Sequence, residues 1–172
     1  MAKTCAIIGC SPMCFSWGFD EEDESCATLK LILINQISKL RGDDCSRFAV
    51  SMDCGGVLYA AEILHGLKES DDALETNCYV PYEGQATKWT PELRNRYFNA
   101  LAASTEVVNV TYEKTVGCEF KAHLEAIKDA NAVIAVYDPD NPRCEREAAT
   151  MTVAEMLNKQ IFMLDSKTLR LL

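Results

Sequence analysis

Short apolar runs alternate with longer amphipathic stretches along the whole chain. Thr4–Gly9 (TCAIIG) is a continuous apolar run ending in glycine, the pattern of a strand buried on both faces of a parallel sheet. Ser25–Leu40 sets Leu29, Ile32, Leu33, Ile37 and Leu40 at helical spacing. Ser46–Met52 predicts a second strand, and Gly55-Gly56 opens a helix over Val57–Leu67 on which Leu58, Ala61, Leu64 and Leu67 share a face. Asn77–Pro81 predicts a third strand. Thr90 is a suitable N-cap, with Pro91 at the first position of a helix running through Ala102. Glu106–Val110 and Ala132–Tyr137 follow as strands, separated by a helix over Phe120–Lys128. A last helix spans Glu145–Leu157 and a last strand Ile161–Leu164. Strand and helix alternating at this spacing predict an α/β fold: a doubly wound, mostly parallel sheet covered on both faces, in three layers. No repeat, linker or low-complexity tract divides the 172 residues, so a single domain is expected.

Charge narrows the function classes. With 17 Lys and Arg against 26 Asp and Glu, the formal net charge is −9 and the sequence pI about 4.7. Such a field repels nucleic-acid backbones, which argues against general DNA or RNA binding but not against a pocket for one nucleotide. The nine cysteines are scattered, odd in number and without a C-x-x-C pair. Cys10 and Cys14 approach each other in sequence without a second pair to complete four ligands, so no metal site is expected, and reduced thiols in a cytoplasmic protein are. Ile7-Ile8-Gly9-Cys10 looks like a lipoprotein cleavage box, yet Lys3 is the only basic residue before it and only Cys5–Ile8 are apolar. No stretch reaches the ~20 apolar residues of a membrane span.

In an open parallel sheet, ligands bind beyond the carboxyl ends of the strands, where helix N-termini and loop amides converge. Gly55-Gly56 sits at such a point; the pair either frees amides for an anion or simply makes a tight strand-to-helix turn. Asp53 and Asp138 end strands, placed to accept from ribose hydroxyls or else to cap a helix and stabilise a turn. Trp89 with Tyr82 offers an aromatic surface suited to stacking on a base, or to packing a lid. His65 and His123 lie on helices with no partner at metal spacing, and neither Ser51 nor Cys54 has a base placed beside it in sequence. Glu62 lies on the helix after the glycines, where an exposed glutamate is the ordinary reading.

Taken together, Ile8-Gly9 with Pro12, Ser51-x-x-x-Gly55 followed by Leu58-Tyr59-Ala60-Ala61-Glu62, Pro81-Tyr82 with Gln85 and Trp89, Phe120-Lys121, and Asp129 before Ala132–Asp138 resemble the YpsA-like branch of the SLOG superfamily. This is the Rossmann-like group that includes LOG phosphoribohydrolases and DprA. The resemblance covers nearly the whole chain and implies a Rossmann-like sheet with a pocket for a nucleotide or an ADP-ribose-like ligand. Carried over by position, Gly9, Ser11, Ser51, Asp53, Gly55, Gly56, Glu62, Gln85, Trp89 and Asp138 would line or shape that pocket. The chain departs from the family pattern at Met52, at His123-Leu124, and at Glu145-Arg146-Glu147, where two carboxylates at a helix start would repel a phosphate. The phosphoribohydrolase signature P-G-G-x-G-T-x-x-E is absent. The resemblance therefore favours a cytoplasmic sensor or binding protein for a small nucleotide-derived ligand, without cofactor. An N-glycosidic-bond enzyme is the alternative, in which Glu62 or Asp138 would serve as catalytic carboxylate; a domain whose pocket has decayed is the other. The apolar pattern is equally compatible with a homodimer.

Overall fold

The computed structural model describes residues 2–172. Six parallel strands and a final antiparallel one form a single sheet: β1 (Lys3–Gly9), β2 (Cys45–Ser51), β3 (Glu75–Tyr82), β4 (Glu106–Thr111), β5 (Ala132–Tyr137), β6 (Gln160–Asp165) and β7 (Arg170–Leu171). They lie in the order β4-β3-β2-β1-β5-β6-β7. Five helices connect them: α1 (Glu24–Gly42), α2 (Gly56–Lys68), α3 (Pro91–Ala103), α4 (Cys118–Lys128) and α5 (Glu145–Met156). α2 packs against both α1 and α3 on one face, while α4 and α5 pack together on the other. This is the doubly wound, three-layer Rossmann-like arrangement that the alternation predicts. Observed elements begin and end within about two residues of the predicted ones; the short β7 has no precedent in the pattern.

The apolar runs are strands because both of their faces are covered. Cys5, Ala6, Ile7 and Ile8 of β1 are fully buried, as are Val133–Val136 of β5. α1 starts where Asp23 accepts from the Ser25 amide at 2.8 Å, and it turns Leu29, Leu33 and Ile37 to the sheet. α2 is the most deeply set helix, with every residue from Gly56 to Ala61 buried. Among the described residues no helix is long and apolar enough to cross a membrane.

Outside the core, Arg96 of α3 holds Glu21 and, at 2.6 Å, Glu62 of α2, and Lys30 of α1 joins Glu21 at 2.7 Å. Burial pushes the Glu21 carboxyl up, but Arg96 and Lys30 outweigh it and hold it below the usual range. The network ties the acidic segment before α1 to two helices. Because its members are partly exposed, Arg96→Gln is expected to cost only about 1 kcal/mol. Urea denaturation at low and at 1 M salt checks this: the loss should shrink as salt screens the wild-type network.

Candidate functional site

β1 leads away to β2 on one side while β5 lies on its other side, so the order of the chain reverses between β1 and β5. The crevice beyond the carboxyl ends of these two strands is where a doubly wound sheet receives ligands. The turns bordering it are short and pinned. After β1, Ser11 precedes a 3-10 turn over Pro12–Cys14, and the Cys10 amide donates to the Val136 carbonyl at 3.0 Å. After β5, Asn141 accepts from the Arg143 amide at 2.9 Å and starts a matching turn over Pro142–Cys144.

The glycines stand where backbone passes close to its neighbours. A Cβ on Gly55 would stand 2.7 Å from the Cys10 carbonyl oxygen and 3.1 Å from Pro12. One on Gly56 would meet Val136 Cγ1 at 2.9 Å, and one on Gly9 would meet the Val136 carbonyl at 3.1 Å. These three glycines let β1, β5 and the start of α2 close on one another at backbone distance.

The remaining predicted residues are distributed as follows. Gln85 is buried; its Nε2 donates to the Met52 carbonyl at 2.9 Å and its Oε1 accepts from the Tyr97 hydroxyl at 3.1 Å. Trp89 meets Tyr97 edge to face, with ring centroids 5.0 Å apart. The loop after β3 is thus anchored to the core, with Trp89 half-buried against Tyr97. Asp138 accepts from the Asp140 amide at 2.9 Å, the turn role. Ser11 is half-buried, with no side-chain cap bond. Glu62 is engaged by Arg96 on the far side of α2.

Sequence spacing gave Ser51 no base, yet the fold supplies one. The Oγ of Ser51, at the end of β2, lies 2.7 Å from Nδ1 of His123 on α4. The two are 72 positions apart, and only the crossing of α4 beneath the sheet joins them. His123 is buried, and burial together with nearby Arg146 pushes its pKa down to about 3. Its Nε2 is buried with no hydrogen-bond partner among the described residues. A base this weak, beside a serine that is 1% exposed, is poorly matched to proton abstraction near neutral pH. Cys54 is no better, since burial and Asp53 push its thiol far up. The pair is a buried polar contact that fixes α4 against β2.

Around it lies a group of ionisable side chains that spacing could not reveal. Burial raises the Asp53 carboxyl to about 6, with Arg146 opposing and Glu119 adding to the rise. Burial raises Glu147 to about 7, again opposed by Arg146. Glu147 stands in the first turn of α5, and its Oε2 is buried without a partner among the described residues. Of the two carboxylates at this helix start, Glu145 is exposed and Glu147 is buried.

Beside this group a groove of about 330 Å³ opens on the carboxyl rim, lined by Phe120 of α4 and by Pro142, Arg143, Glu145, Arg146 and Ala149. Neither arginine has an ion pair among the described residues. A larger hollow of about 580 Å³ lies at the opposite, amino edge of the sheet, among Lys3, Asp43, Asp44 and Gln160. Chain topology favours the smaller one. As for metal ligands, Cys10 and Cys14 do have a companion: Cys144 brings a third sulfur to them, all within 4.8 Å of one another.

A Rossmann-like α/β protein with its polar groups gathered at the switch between β1 and β5 is the class so defined. More narrowly, the model of the YspA SLOG family matches residues 5–169, and the chain belongs to that family. It is similar to a UPF0398 protein of Bacillus pumilus, 26% identical over 143 residues, covering 81% of this chain and 75% of the relative. A UPF0398 protein of Bacillus licheniformis is 28% identical over 142 residues, covering 80% of this chain and 76% of the relative. One from Bacillus velezensis is 25% identical over 142 residues, with the same coverage of 80% and 76%.

Proposed function

We propose that this protein binds a nucleotide or nucleotide-derived anion, of ADP-ribose-like chemistry, at the carboxyl rim of its sheet, as a sensor or binding protein. The observation that carries the reading is the groove in which Arg143 and Arg146 stand without ion pairs beside the ring of Phe120. Guanidinium groups suit phosphate oxygens and a phenyl ring suits a base, while the start of α5 adds amide dipoles. Ligand pockets run from about 300 to 1,000 Å³, so this groove suits a nucleoside monophosphate portion, with the rest of a larger derivative lying along the β1–β5 rim. Glu145 opposes the phosphate. Glu147, raised to about 7 by burial, opposes it less than an ordinary glutamate would at neutral pH.

Binding is favoured over turnover because both candidate catalytic carboxylates are occupied, Glu62 by Arg96 and Asp138 by its own turn. The test is thermal unfolding with AMP and with ADP-ribose. A ligand at about 100 times its Kd adds about 2.7 kcal/mol to stability. That gain is expected for the wild type and should vanish in Arg143→Gln/Arg146→Gln. Equal shifts in both proteins, or none in either, would remove the groove from consideration. Release of free base during incubation, lost in Glu62→Gln or Asp138→Asn, would favour N-glycosidic chemistry instead.

A further inference from the structure

The turns that leave β1 and β5 are built alike. Ser11-Pro12-Met13-Cys14 and Asn141-Pro142-Arg143-Cys144 each place a capping-type residue, then proline at the first position of a 3-10 turn, then cysteine at its end. Proline fixes φ in each, and the cysteine amides close the turns on Ser11 and Asn141, at 3.0 and 2.9 Å. The two strands are the adjacent pair at the reversal of the sheet, so the two turns converge and Cys14 meets Cys144. Cys10, leaving β1 just ahead of its turn, completes the set, and the three sulfurs lie within 4.8 Å of one another.

We propose that Cys10, Cys14 and Cys144 form a zinc site, three thiolates from two proline-started turns, with the fourth position open to water. Zinc–sulfur bonds of about 2.3 Å put tetrahedral thiolates roughly 3.8 Å apart, which the observed cluster reaches with small rotations of its side chains. None of the three is in a disulfide, Cys10 and Cys144 are buried and Cys14 is half-buried, so the site is sheltered from solvent. Three thiolates carry three negative charges, and a divalent ion offsets them better than a monovalent one such as Cu(I). The site borders the nucleotide groove, since Cys144 lies between Arg143 and Glu145, but none of its sulfurs lines that groove.

The experiment uses the full chain, purified with reductant and stripped of metal. Zinc is titrated against a chromophoric chelator, and cobalt(II) is substituted to read the thiolate-to-metal charge-transfer band. One equivalent of zinc and an intense near-ultraviolet cobalt band are expected. Cys144→Ala and Cys14→Ala should each weaken zinc binding by about 100-fold or more and reduce the cobalt band. Cys26→Ala, which removes a buried thiol from α1, should leave both unchanged. Circular dichroism confirms that each variant is folded; Cys14, being half-buried, is the substitution that perturbs packing least. Absence of a one-to-one complex would overturn the proposal, as would binding equal to wild type in Cys14→Ala. The AMP shift is read on the same samples, so failure of one reading leaves the other standing.

Discussion

Gly55→Ala is expected to cost about 4 kcal/mol of folding stability, although it adds a single methyl group. Gly55 has φ of 94° and ψ of −140°, a region open only to glycine. Occupying it with an L-residue costs about 1–3 kcal/mol in strain. The new Cβ would also stand 2.7 Å from the Cys10 carbonyl oxygen, a backbone atom that cannot rotate away. Overpacking of this kind adds about 1–3 kcal/mol. Gly56→Ala provides the comparison. Its clash at 2.9 Å is with the side chain of Val136, and its φ lies outside the left-handed region. It should cost less, and Val136→Ala should recover part of the loss in the double variant, whereas Val136→Ala should not rescue Gly55→Ala. Chemical denaturation of the five proteins measures this. A Gly55→Ala loss below about 1 kcal/mol would mean that the seam between β1 and α2 is looser than described.

The second large effect is in the pH dependence of stability. His123 has a depressed pKa of about 3 in the folded protein, against 6.5 for the free group. A depressed base contributes stability that is present above 6.5 and is lost as pH falls toward 3, because the unfolded chain takes up the proton first. Asp53 and Glu147 act in the opposite sense. Their folded values, about 6 and about 7, lie above the ordinary carboxylate range, so they favour the folded state at low pH and lose that advantage as pH rises through those values. The wild-type profile is therefore a compensation. His123→Asn exposes it, since asparagine keeps a polar partner for Ser51 but does not titrate. Between pH 7.5 and 5, the wild type should lose about 2 kcal/mol relative to the variant, from roughly 1.5 pH units at 1.36 kcal/mol each. Urea denaturation across that range measures the difference. A gap between the two proteins that does not change with pH would show that the imidazole is not held neutral.

The strands and helices were legible because each carries its own period: the fully apolar β5 and the capped start of α3 at Thr90-Pro91 needed nothing beyond local pattern. The site was less legible because its members meet only through topology. Ser51 and His123 belong to elements separated by two crossovers, and the hint in sequence was a histidine sharing the buried stripe of α4 with Ala122, Ala126 and Ile127. Gly55-Gly56 shows the opposite limit. A glycine pair after a strand signals close approach of backbone, but that the close neighbours are the chain's own β1 loop and Val136 follows only from the sheet order. The repeated Pro-x-Cys was present in the sequence at positions 12–14 and 142–144. Its meaning depends on β1 and β5 being neighbours, which separation along the chain conceals.

The central position of β1 has a consequence for how the protein is made on the ribosome. β1 can pair with β2 early in synthesis, but its other edge must wait for β5, whose residues begin at Ala132. Until the last quarter of the chain emerges, the nascent sheet would present a free apolar edge at its middle and an uncovered face where α4 and α5 later pack. Such intermediates are prone to associate, so yield in the cell should depend on chaperone capacity and translation speed more than native stability alone would suggest.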